Sequence, residues 1–253
     1  MTWIDGIRGV LLDVDGTLLE GEAAIPGAAE ALVRLRGRGI RVRVTTNTSR
    51  RPRSAIAEAL RGAGIHVDAS EVLIPASLAR RRILDSGRTR AALLVPEIAL
   101  EDFDGIAADE ADPQWVVLGD LGDGFTFERM SQAFRWLQSG VPLVVLHRNR
   151  CWRAGERGLV LDVGAYAAAL EYAAGVTAEV VGKPSRAFFD LALREIGLSP
   201  REVIVVGDDE EADIAGGAAA GCRTALVRTG KGVAASGAGA DLVLASVADL
   251  MTG

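Results

Sequence analysis

Residues 7–17 read Ile7-Arg8-Gly9-Val10-Leu11-Leu12-Asp13-Val14-Asp15-Gly16-Thr17. This apolar run stops on two carboxylates spaced i and i+2 and then on a turn. A short apolar run bounded by Asp-Gly reads as a buried strand ending at a tight turn. Similar runs follow at Ile40–Thr46, Val116–Leu118, Leu143–Leu146, Glu179–Val181, Val203–Val206 and Arg223–Val227. Between them, Ala28–Arg36, Ser54–Arg61, Phe127–Gln138, Tyr166–Tyr172 and Ala187–Glu195 carry apolar residues at helical spacing. Strands that alternate with helices predict an α/β fold with parallel sheets built from βαβ units.

In such a sheet the carboxyl ends of the strands open onto the ligand crevice. Asp13 and Asp15 are therefore expected where a substrate can reach them, and Gly16 lets the backbone turn sharply there. A lone Asp-x-Asp would read as an ordinary turn. The full Asp-Val-Asp-Gly-Thr after a buried strand arises by chance in roughly one chain in several hundred. A second strand end carries Thr45-Thr46-Asn47-Thr48-Ser49, with Pro52 and Ser54 opening a helix. Hydroxyls and an amide beside a helix start suit either an anion site or a helix cap. A third end, Gly182-Lys183-Pro184, offers a lysine as a point charge for a phosphoryl group. The fourth, Gly207-Asp208-Asp209-Glu210-Glu211-Ala212-Asp213, holds acids that repel one another unless a cation or a positive group offsets them, the plainer alternative being a solvated acidic loop. Hard oxygen donors with no His or Cys nearby favour Mg²⁺ over Zn²⁺.

Composition narrows the classes. The chain has 253 residues and a formal net charge of -6, which gives no electrostatic footprint for nucleic acid. No stretch approaches the length of a membrane span. The first residues lack the basic-then-apolar order of a signal peptide. Cys151 and Cys222 form no CxxC pair, so neither zinc nor a disulfide framework is indicated. These features predict a cytoplasmic enzyme that meets neither nucleic acid nor membrane. Of the 28 Lys+Arg residues, only Lys183 and Lys231 are lysines, which marks both positions. Lys231–Ala240 is Gly/Ala-rich and reads as a surface loop. The motifs cluster at 13–47 and 183–213, and the stretch between has its own alternation of strands and helices. This predicts a core of residues 1–77 and 181–253, with 78–180 inserted as a second α/β domain.

The four motifs together (DVDGTL, TTN, the lysine of VGKP, and GDDEEAD) resemble the haloacid dehalogenase superfamily, in the subfamily bearing an α/β cap. LDVGAYAAALEYAAGVTAEVVGKPSRAFF followed by VRTGKG resembles phosphatases of that subfamily. The resemblance implies a Rossmann-like parallel-sheet core with an inserted α/β cap, and a Mg²⁺-dependent phosphatase acting on a small phosphorylated substrate. It implies that Asp13 is the nucleophile, forming an aspartyl-phosphate, and that Asp15 is the general acid and base. Mg²⁺ would bind Asp13, the Asp15 carbonyl and Asp208. Thr46, Asn47 and Lys183 would hold the phosphoryl oxygens. Asp213, and similarly Asp209, would orient Lys183 or a metal-bound water. Asp15 separates the chain from dehalogenases and ion pumps of the superfamily, which lack an acid there. The rival reading is a catalytically silent relative that binds phosphorylated ligands or a protein partner. Such a member should have lost Asp13, Asp15, Lys183 or Asp208, and all four are present.

Substrate choice would lie in the cap. Where many capped relatives carry an Asn-Pro-Asp-like segment, this chain has Leu146-His147-Arg148-Asn149-Arg150-Cys151-Trp152. His147 reads as a solvated loop residue, with substrate contact as the sharper alternative. Arg50, Arg51 and Arg53 form either a second anion contact or a solvated helix start, and Arg80-Arg81-Arg82 an exposed helix face. The resemblance implies a homodimer through the cap. Trp115, Trp136 and Trp152 would serve either as that contact surface or as the cap's core.

Overall fold

The computed structural model describes residues 6–153 and 155–251. Met1–Asp5, part of the segment read above for a signal peptide, lie outside them. The chain divides into two compact units. The first comprises Met1–Thr46, Arg53–Leu73 and Lys183–Gly253; the second comprises Asn47–Pro52 and Ile74–Gly182.

The first unit is built on a six-stranded sheet whose paired strands all run parallel. In spatial order the strands are Leu242–Leu244, Arg223–Val227, Val203–Gly207, Gly9–Asp13, Arg41–Thr45 and Val72–Leu73. Gly9–Asp13 and Val203–Gly207 are buried along their whole length. That is why they read as unbroken Val/Leu/Ile runs rather than as alternating ones. Asp13 stands in register with Thr45, and Leu12 with Val206. From Gly9–Asp13 the chain steps to one side, towards Arg41–Thr45. The strands from Val203 onwards step to the other side. The order therefore reverses between Gly9–Asp13 and Val203–Gly207, and open α/β sheets bind ligands at such a switch point, outside the strands' carboxyl ends.

Helices cover the sheet with the spacing the sequence predicts. Ala28–Gly37 buries Ala28, Ala31, Leu32 and Leu35, one stripe at i, i+3, i+4 and i+7. Arg186–Ile196 starts at Ser185, whose side chain accepts the Phe188 N–H, and ends on Gly197 in the left-handed region. Its Phe188 and Phe189 are fully buried and meet edge to face, with ring centroids 5.9 Å apart.

The second unit has a five-stranded parallel sheet in the order Glu179–Val180, Leu143–Val145, Val116–Leu118, Arg90–Leu94 and Ala107–Ala108. An antiparallel pair, Cys151–Arg153 with Leu159–Leu161, lies apart from it. Helix Phe127–Gln138 has the predicted bounds. The helix predicted over Tyr166–Tyr172 runs longer, from Val163 to Ala174, because Asp162 caps its start and a left-handed Gly175 stops it. The two helices and the sheet enclose Leu94, Val116, Leu118, Trp136, Leu137 and Leu170. Trp136 belongs to this core, and Trp115 is also buried, with the Arg82 and Arg88 guanidinium groups over its ring. Trp152 lies beneath the Arg50 guanidinium, 5.0 Å from it. Among the described residues no helix is long and apolar enough to cross a membrane.

Emptying the largest buried side chain of the first unit tests this packing. Phe188→Ala should destabilise that unit by about 3–5 kcal/mol and lower its urea midpoint. Arg186→Ala, on the exposed side of the same helix, should shift it far less.

Candidate active site

The switch point collects the polar residues that follow or end three strands of the first unit's sheet. Asp13 closes the central strand, and the chain then turns on the Val14 carbonyl, which accepts N–H bonds from Leu18 and Leu19 at 2.9 Å each. Gly16 completes the turn at φ 84°, and a Cβ there would fall 2.1 Å from Asp208 Oδ2. Both the backbone angle and the contact require glycine. Thr46 follows the neighbouring strand, its hydroxyl 3.5 Å from Asp15 Oδ2. Asp208 follows Val203–Gly207 on the other side.

Lys183 joins these ends. Its Nζ donates to Asp13 Oδ1 at 2.6 Å and to Asp213 Oδ1 at 2.7 Å. All three residues are buried, at 3, 6 and 1 % exposure respectively. A Cβ on Gly207 would come within 2.2 Å of the Asp213 carboxylate, so this glycine is the space in which Asp213 lies. Asp13, Asp208 and Asp213 can each offer a carboxylate oxygen within 4.8 Å of the others. Asp15, by contrast, is exposed at the mouth of the turn.

Burial is the largest influence on Asp13 and raises its pKa well above the ordinary carboxylate value. Asp213, Asp208 and Asp15 push the same way, against the pull of Lys183. Burial likewise raises Asp208 to about 6. Burial alone would lower Lys183, but Asp13 and Asp213 outweigh it and hold the ammonium charged above its ordinary value. One ammonium thus faces three buried carboxyl groups, and two of these resist ionisation. This is the deficit that a divalent cation would fill. The donors are carboxylate oxygens without His or Cys, the set that suits a hard ion such as Mg²⁺.

The acidic run is less concentrated than its sequence suggests. Only Asp208 and Asp213 turn into the cluster. Glu210 accepts the Ser236 hydroxyl and the Gly237 N–H, both at 2.6 Å. Asp209 Oδ1 accepts the N–H groups of Glu211 and Ala212 at 3.0 and 2.9 Å, and Oδ2 accepts Lys231 Nζ at 2.7 Å. Asp209 thus caps a π-helical turn over Glu210–Ala215 and pairs with Lys231 rather than Lys183. Asn47 belongs to the second unit, where its amide oxygen would lie 2.8 Å from a Cβ on Gly182.

His147 overturns the reading as a solvated side chain: it is 3 % exposed. Its Nε2 lies 3.2 Å from the Ser49 hydroxyl and 3.9 Å from Asp162 Oδ1. Ser49 is not a helix cap. Its oxygen accepts the Asp120 N–H at 2.8 Å, inside the second unit. A polar loop in sequence gave no sign of this network, because Ser49 lies 98 positions from His147 and 71 from Asp120. The sequence marks Lys231 without assigning it a role; its backbone N–H donates to Asp208 Oδ2 at 2.7 Å. Its signal was the scarcity of lysine, hidden by the Gly/Ala-rich loop it begins.

The family model described as haloacid dehalogenase-like hydrolase matches residues 10–104, and a second, HAD-hydrolase-like, matches 180–250. The chain is 42% identical over 226 residues to a Bos taurus protein named haloacid dehalogenase-like hydrolase domain-containing protein 2, covering 89% of this chain and 85% of that one. It is 40% identical over 237 residues to the phospholysine phosphohistidine inorganic pyrophosphate phosphatase of Xenopus laevis, covering 90% and 86%. Among solved structures, a 4-nitrophenylphosphatase from Thermotoga maritima superposes with a TM-score of 0.93 at 27% identity, over 100% of this chain and 99% of that one.

The raised Asp208 gives a pH test. Its folded value of about 6 exceeds the ordinary 3.8, so between those values the folded protein binds the extra proton. Stability must then fall as pH rises through this window, by on the order of 2–3 kcal/mol. With metal removed by chelator, Asp208→Asn should melt at a higher temperature than wild type at pH 7. The gap should close towards pH 4 in a thermal scan across pH.

Proposed function

The chain belongs to the haloacid dehalogenase-like hydrolase family and is a phosphatase of it, and from that premise we propose that it hydrolyses a phosphate ester through a phosphorylated Asp13, with Mg²⁺ bound beside it. The observation that carries the reading is the buried Asp13 carboxylate, held on one oxygen by Lys183 at the sheet's switch point.

In this reading the free oxygen of Asp13 attacks phosphorus in line and the bond to the leaving oxygen breaks. Asp15, exposed at the turn, gives that oxygen its proton. Water then attacks the aspartyl-phosphate, Asp15 takes the water's proton, and inorganic phosphate leaves with Asp13 restored. Thr46 and Lys183 donate hydrogen bonds to the transferring oxygens, and Asp213 holds the Lys183 ammonium towards Asp13. Asp13, the Asp15 carbonyl and Asp208 would hold the Mg²⁺. When bound, the ion offsets the repulsion between an anionic nucleophile and an anionic phosphate. A cation binds the ionised carboxylates, so its affinity should rise with pH through the Asp208 transition. Residues of the second unit are proposed as the inserted cap. The printed name of the Xenopus relative adds phosphoramidates and pyrophosphate to the substrate classes worth assaying.

Hydrolysis of p-nitrophenyl phosphate should require added Mg²⁺ and vanish in excess chelator. Asp13→Asn should abolish it, and Asp15→Asn should lower kcat by about 10²–10⁴-fold. A folded Asp13→Asn protein that retains activity, with contamination excluded, would sink the aspartyl-phosphate step.

A further inference from the structure

Both lysines of this arginine-rich chain reach the acid cluster, and the mechanism uses only one. Lys231 lies in the short helical turn Gly230–Val233 that follows strand Arg223–Val227. Three bonds tie this segment to the site. The Thr229 hydroxyl donates to the Gly16 carbonyl, the Lys231 N–H donates to Asp208 Oδ2, and the Lys231 ammonium donates to Asp209 Oδ2. The fit is close at the backbone: a Cβ on Gly230 would lie 2.6 Å from the Gly16 Cα and 2.2 Å from Asp208 Oδ2. One on Gly232 would lie 1.9 Å from the Val227 carbonyl oxygen. The segment therefore spans the switch point, from the turn after Asp15 to the residue after Gly207.

An exposed Lys–Asp pair ordinarily adds little. Here Asp209 is fixed by two backbone N–H bonds through its other oxygen, so the ammonium meets a carboxylate that cannot follow it. The pair anchors the turn, and the turn aims the Lys231 N–H at Asp208. We propose that Thr229–Gly232 is a positioning strap for the cation site: it occupies Asp208 Oδ2 and leaves Asp208 a single oxygen, in one orientation, for a divalent ion. This rests on the reading that Asp208 is a cation ligand.

The strap has a chemical consequence. Mg²⁺ demands near-ideal octahedral geometry, whereas Ca²⁺ accepts more ligands and carboxylates that bind through both oxygens. Holding one oxygen back therefore favours the smaller ion, and Lys231 and Thr229 act as positioning residues for metal choice.

Isothermal titration of the chelator-stripped full chain with Mg²⁺ and, separately, Ca²⁺ tests this. Thr229→Val and Lys231→Met should each raise the Mg²⁺ Kd by about 5–10-fold, as for one charge-assisted hydrogen bond loosened. The Ca²⁺ Kd should change by less than about twofold, and Lys231→Arg should restore most of the Mg²⁺ affinity. Removing a positive charge without loosening the strap would instead tighten both ions in Lys231→Met. A purely structural role would lower the metal-free Tm and leave the ratio of the two Kd values unchanged. Either result overturns the strap while leaving the Mg²⁺ reading intact. A folded wild type that binds neither ion overturns that reading and the strap together.

Discussion

The first unit is organised around the charge of Lys183. An ammonium taken out of water loses hydration worth several kcal/mol even after the protein relaxes around it. Its two short bonds to Asp13 and Asp213 return part of that. The price of losing either partner is an uncompensated buried charge, on the order of 3–5 kcal/mol. The pair is therefore a constraint on geometry more than a source of stability. It fixes which oxygen of Asp13 is engaged and which is left, and it requires three segments far apart in sequence to end at one point. The parallel sheet meets part of that requirement, bringing Asp13 and the turn Glu210–Ala215 that holds Asp213 to one edge, while Lys183 enters just ahead of helix Arg186–Ile196.

From this constraint follow the positions that admit no side chain. Gly207 gives Asp213 its space, and Gly16 gives Asp208 its own. The Gly/Asp pairing across the cluster means that carboxylates replace the volume where side chains would otherwise stand. The excess negative charge among Asp13, Asp208 and Asp213 is the electrostatic counterpart of that packing. The resulting raised pKa values belong to the metal-free protein, and a bound cation would reverse them.

Most of the first unit was legible in the sequence because its signals are local. The apolar run to Asp13, the glycine after Asp15, the helix stripe of Ala28–Gly37 and the Gly-Lys-Pro segment each carry their meaning within a few residues. What escaped depends on contacts made across the fold. Lys231 sits in a Gly/Ala-rich stretch whose composition speaks of a surface loop, and the loop is largely exposed. Its backbone N–H nevertheless serves Asp208, twenty-three positions earlier. His147 lies in a run of polar residues, yet the fold buries it against Ser49 and Asp162. Asp209 illustrates the same limit within one motif: five acids in six positions read alike, and only helix geometry decides that Asp209 caps while Asp213 turns inward.

The distribution of amines matters for handling this protein. Its two side-chain amines are Lys183, sealed beneath the acids, and Lys231, exposed beside them. Dyes, cross-linkers or resins that react with lysine would thus be drawn to Lys231 at the site's rim, and acylation there would remove its charge. Cys151 is exposed in the second unit, while Cys222 is buried in the first. A maleimide label or a thiol-coupled surface would therefore react at Cys151, on the second unit, rather than at either lysine.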